Sequence, residues 1–218
     1  MTQVSDVTDT ARAFAFTPEN DTAAQAIIAK YPAGRQASAV LPLLDLAQRQ
    51  NDGWLSQAAI EYVAAYLKMP QIRVQEVATF YTMFNLRPVG RHHVQVCTNL
   101  PCRLRGSDDI VAECRRSLGV DIGETTTDGE FTLSEVECLG ACVNAPMMQV
   151  GDDYYEDLTS ETTGKIIAAL QAGETPTPGS QIGRRGGEPV GGMTSLTEVP
   201  TVEAAAAGSD ATTKGGVS

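Results

Sequence analysis

Four of the five cysteines fall into two close pairs. Cys97 and Cys102 stand in Val96-Cys97-Thr98-Asn99-Leu100-Pro101-Cys102, a C-x4-C. Cys138 and Cys142 stand in Glu137-Cys138-Leu139-Gly140-Ala141-Cys142-Val143, a C-x3-C. Four thiolates brought together from two short loops are a donor set for a metal ion or a small iron–sulfur cluster. The small residues Gly140 and Ala141 let backbone N–H groups approach sulfur. Cys114 stands apart.

Three chemistries compete for that donor set. A 2Fe–2S cluster comes first: each iron takes two thiolates, and each loop could grip one iron. The C-x4-C spacing recurs in plant-type ferredoxins, although their C-x2-C partner is missing. A structural zinc is second, since four thiolates suit it but zinc ribbons favour C-x2-C knuckles. Thiol–disulfide exchange is third, because it favours C-x-x-C at a helix N-terminus. His92 and His93 are adjacent, lack the spacing of a Rieske centre, and read as ordinary strand residues. The sequence shows no Gly-rich phosphate loop after a strand, no nucleophile elbow and no third histidine for a metallohydrolase. No catalytic residue is therefore assigned, and no complete active site is expected in this chain alone. A cluster protein without a substrate site moves electrons for others.

The elements that must position these thiols follow from periodicity and capping. Residues 1–16 read as a loose N-terminal arm. Thr17-Pro18-Glu19 starts a helix running to about Lys30, with Thr as N-cap and Pro at the first helical position. A second helix is expected from about Gln36 to Gln50, kinked by Pro42 or truly starting there. Ser56 caps a third, through Leu67, and a fourth runs from about Gln71 to Phe84. The aromatic run Phe80-Tyr81-Thr82-Met83-Phe84 reads as core. Residues 17–88 thus form a helical domain.

After Pro88-Val89-Gly90 the period changes. His93-Val94-Gln95-Val96-Cys97 alternates as a strand that delivers Cys97 at its C-terminal end. Ser107 is expected to cap a helix to about Leu118, with Cys114 on its buried face. Phe131-Thr132-Leu133 leads as a strand toward the second cysteine pair. Met147 to Val150 and Tyr154-Tyr155 form a hairpin about Gly151-Asp152-Asp153. A last helix, capped by Ser160, ends near Gly173. Residues 89–174 therefore read as a compact α/β domain, and the whole as an α+β chain. Residues 175–218 form an extended or disordered tail. Within it, Ser180-Gln181-Ile182-Gly183-Arg184-Arg185 is expected as a partner-docking strip, and 198–218 as disordered.

A net charge of −11 argues against a nucleic-acid partner. Between Asp121 and Gly164 stand eleven Asp and Glu and no Lys or Arg. Such a run reads either as solvated loops that keep the chain soluble or as a field around a redox centre that disfavours its reduction. No apolar run is long enough to insert in a membrane. The N-terminus carries neither a secretory nor a transit signature, so a reducing cytoplasm is expected, where paired cysteines are more often ligands than disulfides.

Val77-Ala78-Thr79-Phe80-Tyr81, the Cys97–Cys102 segment, and Glu135-Val136-Glu137-Cys138-Leu139-Gly140-Ala141-Cys142-Val143-Asn144-Ala145-Pro146 resemble the E-type subunit family of NADH-quinone oxidoreductase. This is the thioredoxin-like 2Fe–2S subunit of the peripheral arm of respiratory complex I. Gly53-Trp54-Leu55 and Tyr154-Tyr155-Glu156-Asp157-Leu158 fit as well. The resemblance implies a thioredoxin-like 2Fe–2S domain following a helical bundle, with Cys97, Cys102, Cys138 and Cys142 as ligands. It implies packing against the flavin- and NADH-binding subunit and other peripheral-arm subunits. FMN and NADH would sit only on that partner, and one electron would pass between cluster and flavin. It also implies a place on the cytoplasmic face of the inner membrane through the complex, and a cis bond at Ala145-Pro146. Related subunits serve NAD-linked formate dehydrogenases and hydrogenases, and a zinc-stabilised interaction module is the rival of a different class.

Overall fold

The structure, a computed structural model, describes residues 13–195. The arm expected over 1–16 is thus described only from residue 13, and the disorder expected over 198–218 lies outside the described residues.

Four helices come first. α1 (Pro18–Ile28) starts where Thr17 accepts a hydrogen bond from the Asn20 N–H at 3.2 Å. One stretch of 3-10 helix, Gln36–Ala39, precedes α2 (Val40–Gln50). Pro42 therefore sits in the first turn of α2, where its missing N–H costs nothing. α3 (Gln57–Tyr66) is capped by Ser56, whose Oγ accepts from the Ala59 N–H at 3.2 Å. α4 spans Gln71–Phe80. Leu43, Leu44, Ala47, Ile60, Val63 and Val74 close one core between them. Truncating a buried leucine such as Leu44 to alanine costs roughly 2–5 kcal/mol in such a setting.

The second core is built on a five-stranded sheet of order β2-β1-β3-β4-β5. β1 (His92–Cys97) pairs in parallel with β2 (Phe131–Val136), so that Cys97 lies opposite Val136. β3 (Met148–Val150) runs antiparallel to β1, and β4 (Asp153–Glu156) antiparallel to β3. β5 (Gly179–Ser180) adds in parallel to β4. Between β1 and β2 lie α5 (Leu100–Leu104) and α6 (Ser107–Leu118); α7 (Ser160–Gln171) follows β4 and packs on α6. Val94, Leu133, Met148, Ile110 and Ile167 fill the space between sheet and helices. An Arg49 guanidinium on α2 meets Asp152 in the β3–β4 turn through two hydrogen bonds of 2.8 and 2.9 Å, tying the helical part to the sheet.

Several expectations are corrected. α4 ends at Phe80, and in the run expected as core only Phe84 is buried; Phe80 is 76% exposed and Met83 53%. Ser107 does not cap α6: Gly106, at φ +97°, precedes the helix, and Ser107 is its buried first residue. α7 is capped by Thr159 rather than Ser160, through a reciprocal pair with Thr162. The short helix α5 was not expected. Of the segment expected as a partner-docking strip, Ser180 belongs to β5 and the residues after it form turns. The cis bond expected at Ala145-Pro146 is present.

Candidate metal centre

The parallel register of β1 and β2 sends both strands to the same end of the sheet. β1 ends in Cys97, and β2 ends two residues before Cys138. The Cys97 N–H donates to the Met147 carbonyl at 3.2 Å and the Thr98 N–H to the Val136 carbonyl at 3.3 Å, so the two loops leave side by side. α5 then turns Cys102 back onto Cys97. Asn99 starts that helix, its Oδ1 accepting from the Leu100 N–H at 2.8 Å.

All five cysteines are free thiols. Cys97 and Cys102 are buried, packed with Ala145 and Met147 and lined by Leu139, Ala141 and Tyr154. Cys138 and Cys142 are exposed, with their sulfurs 3.3 Å apart. Burial first, then the neighbouring Cys97 thiol, pushes Cys102 up to about 12. Cys138 is held low, chiefly by the Gly140 N–H that donates to its Sγ at 3.4 Å and then by Cys142. Gly140 has φ +87°, a conformation that glycine adopts without strain, and this aims its N–H at the sulfur. Cys142 is raised, first by its shared hydrogen bond with Cys138, and it also feels Cys97.

The donor set fits the group that the cysteine spacing suggests. Ligation needs thiolates, and iron cations offset the cost of charging the buried Cys102 pair. Among the described residues no three His, Cys, Asp or Glu side chains converge as a single ion would require; the thiols converge two by two, one pair per loop.

Side chains around the pairs tie the loops to each other. Thr98 donates to Glu135 at 2.5 Å, and Asn99 Nδ2 donates to Glu137. The Tyr154 hydroxyl donates to the Leu139 carbonyl at 2.9 Å. These acids belong to the acidic stretch noted in the sequence, and both hydrogen-bond across the gap between the two cysteine loops. Asn144, Asp157 and Arg184, which hold the far side of the C-x3-C loop, were missed, because no local pattern links residues so far apart in the chain.

The remaining candidates fall outside the site. Cys114 is fully buried on α6 and is pushed up to about 12 by burial and then by Glu113. His93 Nε2 shares a 2.8 Å hydrogen bond with Ser134, and His92 stacks on Phe131 at 5.0 Å. Burial lowers both imidazoles.

Comparison with known proteins agrees with this geometry. A family profile described as thioredoxin-like [2Fe-2S] ferredoxin matches residues 24–171. The E-type subunit of NADH-quinone oxidoreductase from Rickettsia conorii is 64% identical over 158 residues, covering 72% of this chain and 95% of that protein. The mitochondrial NADH dehydrogenase [ubiquinone] flavoprotein 2 of Dictyostelium discoideum is 50% identical over 187 residues, covering 86% of this chain and 76% of that one. Among solved structures, an NAD+-reducing [NiFe]-hydrogenase in its H2-reduced state superposes with a TM-score of 0.54 at 18% identity, over 62% of this chain and 22% of that one. That last likeness is one of fold.

Proposed function

The chain belongs to the thioredoxin-like [2Fe-2S] ferredoxin family, and within it to the E-type subunits of NADH-quinone oxidoreductase; on that premise we propose that it is an electron-transfer subunit of NADH:quinone oxidoreductase. One 2Fe–2S cluster is held by Cys97, Cys102, Cys138 and Cys142. The observation that carries this reading is the convergence of two free thiol pairs at one end of the sheet. When bound, the cluster accepts and returns a single electron. The chain's own residues do the rest. Cys97 and Cys102 grip from the dry side, against Met147 and Ala145. Cys138 and Cys142 grip from the solvent side, the first stabilised as thiolate by the Gly140 N–H.

FMN and NADH belong to the partner subunit, against which this chain packs. Residues 17–88 form the helical domain and 89–174 the cluster domain. The subunit is peripheral, on the cytoplasmic face of the membrane, held there through the complex. No described helix is long and apolar enough to cross a membrane. The second reading, an equivalent subunit of an NAD-linked hydrogenase, is favoured by the fold likeness alone.

Iron, sulfide and zinc analysis of the purified chain tests the cluster, with EPR after dithionite reduction. The expected result is two irons, two sulfides and a signal from one unpaired electron per chain, about what a mixed-valence cluster gives. Cys114→Ser keeps that signal, and serine at any of the four ligands damages it. One zinc without sulfide, in protein prepared without air, overturns the reading.

A further inference from the structure

The turn that follows Cys142 has no cap of its own. Residues Cys142–Asn144 form a single turn of 3-10 helix without a side-chain hydrogen bond at its start. Val143 is 69% exposed, so packing does not hold the turn in place. Four remote residues do. The Val143 carbonyl accepts from Arg184 Nη2 at 3.0 Å. The Asn144 carbonyl accepts from the Asp157 N–H at 2.7 Å. Asn144 Nδ2 donates to the Gly186 carbonyl at 2.7 Å and to Glu156 at 2.8 Å.

Arg184 and Asp157 are themselves joined. Arg184 Nε donates to Asp157 Oδ2 at 3.0 Å and Nη2 donates to Oδ1, with the side chains only 7% and 5% exposed. Ser180 donates to the same carboxylate at 2.6 Å, and Arg184 Nη1 donates to the Glu188 carbonyl at 2.9 Å. Burial alone would push the Asp157 carboxyl up; Arg184 and Ser180 outweigh it and hold it low. Asp157 occupies φ +54°, an uncommon place for a side chain of this kind, and there its N–H reaches Asn144 while its carboxylate reaches Arg184.

A buried ion pair is a poor source of net stability when an apolar pair of equal volume could replace it. It is a good source of direction, because the guanidinium is planar and presents its donors in a fixed fork. One edge of that fork takes Asp157, and the remaining donors take the carbonyls of Val143 and Glu188. A lysine could match the charge but not the three directions.

We propose that Arg184 is a positioning residue for the metal centre: it fixes the backbone directly after Cys142, and so sets the aim of the exposed thiol pair. This rests on the reading that Cys138 and Cys142 are cluster ligands. The strip around Ser180 to Glu188 is then a clasp for the cluster loop.

The test uses the full chain with its cluster, as Arg184→Met, Arg184→Lys and the double variant Asp157→Asn/Arg184→Met. Bleaching of the visible cluster absorption in excess EDTA is timed, and thermal unfolding is followed by far-UV circular dichroism. Hydrogen exchange of the amides from 139 to 145 is measured in cluster-free chain. Arg184→Met should bleach at least tenfold faster than the unmodified chain, with faster exchange confined to the loop. Arg184→Lys should stay within about threefold of Arg184→Met. The double variant, relieved of an unpaired buried carboxylate, should regain thermal stability without regaining cluster retention or loop protection. Bleaching of Arg184→Met within threefold of the unmodified chain overturns the proposal, as does recovery of retention in the double variant, because Arg184 would then be only a counterion. An unmodified chain that holds no iron and sulfide removes the ligand reading instead; the exchange comparison still decides whether Arg184 holds the loop.

Discussion

A cysteine at a strand end is legible because its chemistry and its spacing are both local. The two close pairs Cys97–Cys102 and Cys138–Cys142 are legible for that reason, and so is Cys114 as a core residue. Glu113 was not, since nothing local marks a buried carboxylate. It is 7% exposed and accepts from Arg116 at 2.6 and 2.7 Å and from Ser117 at 2.7 Å. α7 approaches so closely there that a Cβ on Gly164 would stand 2.7 Å from Glu113 Oε1. Arg116 first, then Ser117, holds the Glu113 carboxyl below the ordinary range. A carboxylate lowered in the folded state contributes fully above its unfolded value of about 4.3 and loses that contribution as pH falls through the folded value. Glu113→Gln should therefore cost roughly 1 kcal/mol at pH 7, a modest figure because Arg116 is largely exposed. The gap in thermal midpoint between the two proteins should close as pH falls below about 4. A gap that is unchanged there would show that Glu113 acts through packing rather than charge.

At the level of elements, the caps that worked were those with nothing competing for them. Thr17 and Ser56 bond to the helices that follow, as their positions predict. Ser107 failed because the glycine before it takes the left-handed turn and the serine is drawn into the core. α4 was read too long because Phe80, Tyr81 and Met83 continue an apolar period that faces outward. β5 has two residues and so no period to detect. The loops that carry the thiols are strapped by Thr98 to Glu135 and Asn99 to Glu137. These acids act twice, as fasteners and as negative charge beside the centre. Glu135→Gln with Glu137→Gln keeps acceptors for both fasteners and removes the charge. The reduction potential should rise by tens of millivolts at low salt, on the order expected for charges near a cluster, and by less at high salt. Redox titration followed by EPR reads this directly; an unchanged potential at low salt would leave those carboxylates as fasteners alone.

At the scale of the molecule, the described residues leave two groups of apolar side chains exposed, among others. Ile72, Phe80, Tyr81, Met83 and Leu86 lie on α4 and the chain after it, and Leu100, Leu104 and Val143 surround the thiol loops. A contiguous exposed apolar patch is the kind of surface a partner covers, and substitution on α4 tests whether this one is. Phe80→Asp with Met83→Asp should leave the unfolding free energy within about 0.5 kcal/mol of the unmodified chain, since both side chains stand in solvent. It should also reduce recovery of the flavin-binding subunit in co-purification by tenfold or more; unchanged recovery would place the contact elsewhere. The clasp around Arg184 has a further meaning, in time rather than space. A ribosome makes all four thiols before it makes the arginine that fixes the last of them. A chain interrupted after α7 would keep Cys97, Cys102, Cys138 and Cys142 and both cores yet lack Arg184 and the fastening it supplies. Retention of the proposed cluster then depends on a stretch made after all four thiols, and a chain that stops short of that stretch should differ from one that includes it in how long it keeps its iron.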